Sequence, residues 1–173
     1  MLVGYTAYIL VPFARLITNK KVIFNALCSL YEGTVISRQK SSWLSFRGLY
    51  AWLVDFIAFH SAHLSLLESE EQVKFVSKKF LVPKRKLLKA WTGVDDSVFY
   101  SDPDAKKLPA FTVLFRGAFL PESGVEYAVE AAKILKDWNI NWRIIGRGEL
   151  DPLVEKKLNE FDSSRVEWIR DKK

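Results

Sequence analysis

The amino-acid sequence predicts an α/β fold built on parallel sheets and divided into two domains. Short apolar runs alternate with segments of helical periodicity along the chain, which is the pattern of strands and crossover helices. The clearest example covers residues 110–149, where a strand, a loop, a helix and a second strand follow one another as a βαβ unit. A polar segment punctuated by Pro103 and Pro109, residues 93–109, precedes this unit and predicts an interdomain linker.

The composition is that of a globular protein with a basic surface. Of the 173 residues, 49% are hydrophobic and 27% are charged, which is enough to build a core. The 26 basic and 20 acidic residues give a net charge of +6, which favours anionic partners such as phosphates or an acidic membrane surface. No nucleic-acid recognition motif accompanies this charge, so a nucleic-acid partner is not expected. The single cysteine, Cys28, excludes an internal disulfide and fits a reducing compartment.

The first domain is predicted to begin with a buried strand at residues 2–3, followed by a helix at residues 7–18. This stretch is strongly apolar, but it lacks a charged region before the apolar run and is interrupted by Gly4 and Pro12, so a signal peptide or membrane anchor is not expected. The remaining predicted elements are strands at residues 22–24, 62–67 and 86–91, a polar loop at residues 32–42 and a helix at residues 68–80.

Residues 43–59 are predicted to form a helix that is apolar almost all round, interrupted only by Arg47 and Asp55. Such a helix is either buried or rests on a membrane surface, and this one is too short to cross a bilayer. His60 and His63 follow it at a spacing that suits a metal ion, but no third ligand stands nearby. We therefore interpret both as core or surface histidines and expect no metal site.

The second domain is predicted to open with the βαβ unit. Its strands are expected at residues 111–115 and 142–145, and the apolar positions of residues 125–135 recur at helical spacing between them. Ser123 with Glu126 predicts a capping box at the start of this helix. Strand carboxyl ends and helix N-termini meet at one edge of such a sheet, where free N–H groups attract anions, so a phosphate-bearing ligand is expected there. A further helix near residues 150–161 and a strand near residues 166–169 continue the pattern.

Three motifs, in their order along the chain, resemble those of a known family. Residues 93–99 read Gly-Val-Asp-Asp-Ser-Val-Phe, residues 114–127 read Leu-Phe-Arg-Gly-Ala-Phe-Leu-Pro-Glu-Ser-Gly-Val-Glu-Tyr, and residues 144–148 read Ile-Ile-Gly-Arg-Gly. They resemble the domain crossover and the start of the C-terminal domain in GT-B glycosyltransferases, in particular the large retaining family 4. The resemblance implies two Rossmann-like parallel-sheet domains of the GT-B type. They would be residues 1–92, the C-terminal part of the acceptor-side domain, and residues 110–173, the start of the donor domain, with residues 93–109 as the linker.

The same resemblance implies that both domains are incomplete and that the chain is an interior fragment of such an enzyme. The first strands of the N-terminal domain are missing, and the family's two glutamates with seven residues between them should lie beyond Lys173. Glu122 and Glu130 have this spacing, but they are placed on the first helix of the donor domain and are interpreted as ordinary helix carboxylates. The catalytic residues therefore stay unassigned.

In this family the second domain holds the nucleotide-sugar donor, and the resemblance carries that role to two loops. Ala118 stands where the family commonly has an arginine and Ser123 where it commonly has a lysine, which weakens the expected clamping of phosphate by side chains. No cofactor and no metal ion is expected, and Arg116 is a further phosphate contact. The donor-binding candidates are Gly117, Ala118, Glu122, Ser123, Gly124, Gly146, Arg147 and Gly148.

The implied reaction transfers a sugar from a nucleotide-sugar donor to an acceptor hydroxyl, with retention, in polysaccharide or glycolipid synthesis. The acceptor would be a glycan or a lipid-linked molecule, and the protein would be cytoplasmic and peripheral at the inner membrane face. Two other interpretations stay open at this point. The chain is a non-catalytic Rossmann-like remnant or one subunit of a split enzyme, or it is a membrane-surface binding protein that uses the helix at residues 43–59.

Overall fold

The computed structural model describes residues 1–38, 41–104, 106 and 108–170. The chain divides into two compact units, Met1–Tyr100 and Ser101–Lys173, and each has its own parallel sheet. The division falls within the segment predicted to be the linker. Strands and helices alternate in both units, so the predicted α/β class with two parallel-sheet domains is confirmed. In the described part of the chain, no helix is both long enough and apolar enough to cross a membrane.

The first unit is a four-stranded parallel sheet with helices between its strands. Its elements are β1 (Leu2–Val3), α1 (Leu10–Ile17), β2 (Ile23–Leu27), a π-helix (Glu32–Ser37), α2 (Phe46–Ser61), β3 (Leu64–Leu67), α3 (Glu70–Lys79), a 3-10 turn (Lys84–Lys86) and β4 (Leu87–Lys89). The strands lie side by side in chain order and all pairs are parallel. Parallel neighbours require a crossover, which the intervening helices provide.

Aromatic side chains fill the core of the first unit. Phe24 of β2, Phe59 of α2 and Phe80 after α3 are fully buried. The centroid of the Phe59 ring lies 5.6 Å from that of Phe24 and 5.8 Å from that of Phe80. At roughly 25 cal/mol for each Å² of apolar surface removed from water, this cluster contributes strongly to stability. The small side chains of Ala51 and Ala58 bring α2 close to the rest of the core.

The helix predicted at residues 43–59 is observed as α2, which begins at Phe46 and ends at Ser61. One side of α2 faces the core. The opposite side is apolar but exposed, and we call it the apolar face of α2; its side chains are those of Phe46, Leu49, Leu53 and Ile57. The helix is thus buried on one side only. The exposed apolar side leaves the prediction of a helix that rests on a membrane surface untested.

The prediction of a loop over residues 32–42 is wrong in its first part, because the π-helix occupies Glu32–Ser37. A long-range contact explains the difference. Asp55 of α2 accepts hydrogen bonds from the backbone N–H groups of Leu30 at 3.0 Å and Tyr31 at 2.8 Å. These are donors that the start of a helix leaves without intrahelical partners, and the local composition gives no sign that a distant carboxylate satisfies them.

Local sequence features, such as capping residues and charges, locate the ends of α3 well but the start of α1 less well. Ser69 and Gln72 form a capping box at the start of α3, with each side chain accepting from the other residue's N–H at 3.2 Å. Acidic residues occupy its first turn and lysines its last, as predicted. α1 begins at Leu10, later than expected, with Pro12 in the first turn, where a missing N–H is tolerated.

The second unit is a three-stranded parallel sheet with two helices. Its elements are β5 (Thr112–Arg116), a 3-10 turn (Pro121–Ser123), α4 (Val125–Ile134), β6 (Asn141–Ile145), α5 (Asp151–Leu158) and β7 (Val166–Ile169). The strands pair in chain order, with Phe115 opposite Ile144 and Ile144 opposite Trp168. The predicted βαβ unit and the helix and strand that follow it are confirmed. The fully buried core side chains are Phe119, Val125, Val129, Ile144 and Val154.

The predicted capping box of α4 is wrong. Ser123 lies in the 3-10 turn before the helix, and both its N–H, at 2.9 Å, and its hydroxyl, at 2.7 Å, donate to the carbonyl oxygen of Leu120. The residue that precedes α4 is Gly124, whose φ of +72° is left-handed, and no side chain caps the helix. A serine placed one residue too early bonds backward to its own turn instead of forward to the helix.

Glu122 and Glu130 are not on one helix, contrary to the prediction. Glu122 lies in the 3-10 turn, and only Glu130 belongs to α4. Glu130 forms an ion pair of 2.8 Å with Lys157 of α5, which lowers the pKa of the Glu130 carboxyl. It is thus a carboxylate that links two helices.

Candidate functional site

The loops after β5 and β6 lie against each other at the carboxyl edge of the second sheet. The N–H of Gly117 donates to Ile145 at 3.1 Å, the N–H of Phe119 to Arg147 at 3.0 Å, and the N–H of Leu150 to Phe119 at 3.0 Å. The acceptor is the backbone carbonyl in each case. These bonds bring Gly117 and Ala118 beside residues 146–148, so two groups of predicted donor residues do meet in space.

Gly146 and Gly148 are required by this contact between the loops. Gly146 has a φ of +140°, and a Cβ atom there would lie 1.9 Å from the carbonyl oxygen of Gly117. A Cβ atom at Gly148 would lie 2.7 Å from the carbonyl oxygen of Phe119. Both glycines therefore have a structural reason that involves no ligand.

Gly117 differs from the other two glycines because a Cβ atom there would not collide with any backbone atom. A Cβ atom at this position would meet only the ring of Phe115, at 3.9 Å, which is an ordinary van der Waals distance. Its φ is not positive. The turn therefore does not require a glycine at this position, although the N–H of Gly117 is bonded to Ile145.

The start of α4 is the second feature of this edge. The N–H groups of Tyr127 and Ala128 donate to the carbonyl of Gly124, at 3.1 and 3.3 Å. Those of Val125 and Glu126 precede the first intrahelical bond, and no side chain caps them. A helix of ten residues with an uncapped N-terminus carries partial positive charge there and suits an anion.

The side chains at this edge carry both signs of charge, with Glu126 in the first turn of α4 and two arginines at the loops. Arg116 and Arg147 are exposed, and within the described ranges neither forms an ion pair with a carboxylate. The hydroxyl of Ser123 is already bonded to Leu120, so it is a weak candidate for a ligand contact. Glu122 and Ala118 are exposed.

Asp151 was missed by the analysis of the sequence. Its carboxylate oxygen Oδ1 accepts the N–H of Gly148 at 2.7 Å, and it stands at the start of α5. The aspartate followed by a proline at a helix start is a usable signal. Its role is to fix the second loop.

Asp55 is the buried ionisable group of the first unit that the sequence did not assign. Its side chain is completely buried, close to Ser29, Glu32 and the Tyr8–Cys28 pair, in which the Tyr8 hydroxyl donates to the Cys28 carbonyl at 3.0 Å. Burial raises the pKa of the Asp55 carboxyl to about 7, although the backbone donors of Tyr31 and Leu30 act in the opposite direction. A single carboxylate on an otherwise apolar helix is the feature of the sequence that could have indicated that Asp55 is buried.

The two histidines have structural partners. Nδ1 of His63 accepts the N–H of Val22 at 2.9 Å, and Nε2 of His60 lies 3.0 Å from the carbonyl oxygen of Phe80. Over the residues that the structure describes, no group of three or more His, Cys, Asp or Glu side chains is arranged to hold a metal ion.

The architecture of two parallel sheets with crossover helices matches the fold of solved GT-B glycosyltransferases. Anabaena HepE, in complex with UDP and glucose, matches with a TM-score of 0.71 over 99% of this chain and 48% of its own, at 12% identity. A TarM variant of S. aureus, in complex with UDP, fondaparinux and alpha-GlcNAc-glycerol, matches with a TM-score of 0.69 over 99% of this chain and 33% of its own, at 12% identity. WaaG, a glycosyltransferase involved in lipopolysaccharide biosynthesis, gives a TM-score of 0.66 over 92% of this chain and 50% of its own, at 14% identity.

A particular sequence relative points the same way. The chain is 28% identical over 86 residues to an uncharacterized glycosyltransferase of Methanocaldococcus jannaschii, a match that covers 50% of this chain and 22% of the relative. No protein-family model matches the chain. The chain spans half or less of the length of these relatives.

Proposed function

We propose that the chain is part of a glycosyltransferase that uses a nucleotide-sugar donor, and that its second unit binds the donor's diphosphate. The observation that carries this proposal is the uncapped start of α4 at one edge of the sheet, which follows Arg116 and the loop that contains Gly117. The ligand is inferred from the fold relatives HepE and TarM, which are complexes with UDP. The donor candidates are the residues of the two loops, 116–118, 122–124 and 146–148.

These groups suit the chemistry of sugar transfer. Negative charge grows on the departing diphosphate as the bond to the sugar breaks, and donors fixed in advance stabilise that charge. The N–H groups of Val125 and Glu126 and the guanidinium groups of Arg116 and Arg147 are the donors available at this edge. Backbone N–H groups carry a larger share of the binding than in relatives with a cationic pair, since Ala118 and Ser123 occupy those positions.

The finer assignment rests on the sequence motifs. We place the enzyme in the retaining family 4, with transfer to a glycan or lipid-linked acceptor in polysaccharide or glycolipid synthesis, at the cytoplasmic face of the inner membrane. Neither a metal ion nor another cofactor is part of the proposal, and no residue of the chain is assigned as catalytic. A donor site that accepts no nucleotide would instead favour a non-catalytic remnant or a split-enzyme subunit.

Thermal melting with UDP, GDP and ADP tests the donor site. We expect one of the three nucleotides to raise the melting midpoint by several degrees, because a ligand at about a hundred times its Kd stabilises a protein by about 2.7 kcal/mol. The nucleotide that does so identifies the donor base. A cooperative melt that none of the three nucleotides shifts would contradict the proposal.

The variant Gly117→Asp tests whether the nucleotide binds at the loop after β5. A carboxylate at this position faces the diphosphate, and like charges in contact are strongly unfavourable, so we expect binding to weaken by tenfold or more, on the order of 1.4 kcal/mol. The midpoint without nucleotide should change little, since the added Cβ atom would meet only the Phe115 ring, at an ordinary van der Waals distance. Asn159→Asp adds the same charge at the exposed end of α5 and should leave nucleotide binding unchanged.

The membrane surface is the second proposed partner, and the apolar face of α2 is the observation that favours it. Leu49 and Leu53 are exposed on a protein of net charge +6, a combination suited to an anionic bilayer surface. We expect the protein to sediment with phosphatidylcholine vesicles that contain phosphatidylglycerol, and the double variant Leu49→Gln, Leu53→Gln to lose most of this binding. Ile134→Gln removes a still more exposed apolar side chain, from α4, and serves as the control. Equal loss in both proteins would argue against a specific face.

A further inference from the structure

A basic cavity lies at the opposite edge of the first sheet from the strand carboxyl ends. Its volume is about 400 Å³, and its described lining residues are Arg15, His60, Ser61, Ala62, His63, Arg85 and Lys86. Arg15 is in the last turn of α1, residues 60–63 cover the end of α2 and the two residues before β3, and Arg85 and Lys86 belong to the turn before β4. Each of these segments precedes a strand, so the cavity is at the amino edge of the parallel sheet.

The cations of this cavity have no neutralising partners nearby. No acidic side chain is among its described lining residues. Across the described ranges, Arg15, Arg85 and Lys86 form no ion pair, whereas Lys74, Lys89 and Lys157 elsewhere do. Three positive charges gathered without a counter-ion repel one another, and a bound anion would relieve that repulsion.

Two of the lining groups are held in place. The ammonium of Lys86 donates to the carbonyl oxygen of His60 at 2.8 Å, which leaves two of its three N–H bonds for other acceptors. His63 accepts the N–H of Val22 at Nδ1, so the proton of its neutral ring is on Nε2, and that nitrogen is a donor. The ammonium of Lys86 stabilises the carbonyl end of α2 through its bond to His60. In the part of the chain that the structure describes, Arg85 makes no such bond to α2.

We propose that this cavity binds a small phosphate-bearing anion, with Arg15, Arg85 and Lys86 as the charged contacts. Guanidinium groups bind phosphate through two parallel hydrogen bonds, and an ammonium adds a point charge. The volume falls within the roughly 300–1,000 Å³ typical of small-molecule sites, so the cavity has room for a phosphate together with part of the molecule that carries it. The site is separate from the proposed donor site, which belongs to the other unit.

The histidine provides a local reporter. Partial burial lowers the pKa of His63, and the charges of Arg15, Lys86 and Lys21 act in the same direction. An anion beside these cations offsets their effect, so the pKa of His63 should rise when the cavity is occupied. Protonation costs the bond from Val22, because a protonated Nδ1 cannot accept it.

The test is a titration of the whole chain with inorganic pyrophosphate, followed by nuclear magnetic resonance of the His63 ring. We expect saturable shifts and a raised His63 pKa, with binding weakened about tenfold in Arg15→Gln and in Arg85→Gln, as for the loss of a charge-assisted hydrogen bond. Lys84→Gln is the matched control: it removes the same charge from the same turn but from a residue outside the cavity. It should weaken binding less than twofold, on the order of a purely long-range effect.

A second measurement distinguishes a soluble phosphate compound from a lipid headgroup as the ligand. It uses vesicles of phosphatidylcholine that contain phosphatidic acid. Saturation by free pyrophosphate indicates a soluble ligand, while a response of His63 that needs the vesicles and is lost in Arg85→Gln indicates a lipid headgroup. Equal weakening in Lys84→Gln and Arg85→Gln, or no change at His63 in either arm, would overturn the proposal. The donor-site variant Gly117→Asp should leave the His63 response intact, so the two proposals fail independently.

Discussion

Replacing Asp55 with leucine is expected to lower the free energy of unfolding of the first unit by about 3–5 kcal/mol. The substitution leaves the buried N–H groups of Leu30 and Tyr31 without an acceptor, and each unsatisfied donor costs about 1–3 kcal/mol. The start of the π-helix should loosen as well, since both N–H groups lie there. Urea titration followed through resolved amide signals of the first unit measures the change.

Two further variants separate the hydrogen bonds from the size of the side chain. Asp55→Asn keeps the shape but presents an NH₂ group to one of the two N–H donors, so an intermediate loss is expected. Glu71→Gln alters an exposed carboxylate on α3 and should stay within about 0.5 kcal/mol. Wild-type stability in Asp55→Leu would mean that water or another group satisfies Leu30 and Tyr31.

The same carboxylate makes stability depend on pH. Burial raises the pKa of Asp55 to about 7 in the folded protein, and Glu32 acts in the same direction, while an unfolded aspartate titrates near 3.9. Between about pH 4 and pH 7 the folded state therefore binds a proton that the unfolded state has lost. Stability from this group falls as pH rises through that window, by up to about 1.4 kcal/mol for each pH unit. In Asp55→Asn the part of this slope that Asp55 contributes should disappear, which leaves a smaller slope of the same sign from Glu32, whose pKa burial also raises. The nearby Cys28 and Tyr8 titrate above the window because burial raises both pKa values.

Gly146→Ala is expected to have the largest effect on the second unit, a loss of about 4 kcal/mol or more. The added Cβ atom would overlap the carbonyl oxygen of Gly117 at 1.9 Å, and the φ of +140° is strained for any other residue. Because the obstacle is backbone, it cannot rotate away. The loops after β5 and β6 would have to separate, and the bond from Gly117 to Ile145 would be lost.

Gly117→Ala is the matched control, since it adds the same methyl group to the facing loop. Its nearest neighbour would be the Phe115 ring at 3.9 Å, so a change within about 1 kcal/mol is expected. Far-ultraviolet circular dichroism and urea titration measure both variants. Similar stabilities for the two would mean that the loops do not pack as described.

Periodicity was sufficient to predict nearly every strand and helix, because each buries one stripe of apolar side chains that recurs at a fixed interval. The helix that became α4 and the strand that became β6 are found this way, within a residue or so of their ends. The α/β class follows from their alternation. The local sequence pattern could not predict the contacts between segments that are far apart along the chain.

Asp55 and Gly146 are the two instructive cases. Asp55 satisfies donors 25 residues away along the chain, so the polar stretch that it turns into a helix looks like a loop. Gly146 is a donor-binding candidate by its resemblance to a family glycine loop, yet its geometry is explained by the backbone of a second loop. For Ser123 a local pattern predicted a contact that does not form. Serine is a suitable capping residue, but Gly124, one position later, directly precedes the helix.

Phe119 has a consequence for how the carboxyl edge of the second sheet, where we propose the donor site, can change shape. Its N–H and its carbonyl oxygen are both bonded to the neighbouring loop, and its buried ring lies 5.6 Å from that of Trp168 between centroids. The loops after β5 and β6 are therefore mechanically coupled and cannot open separately. If nucleotides bind here as proposed, adaptation to a different base falls to exposed side chains such as Ala118 and Arg147, which can be exchanged without disturbing the backbone that carries them.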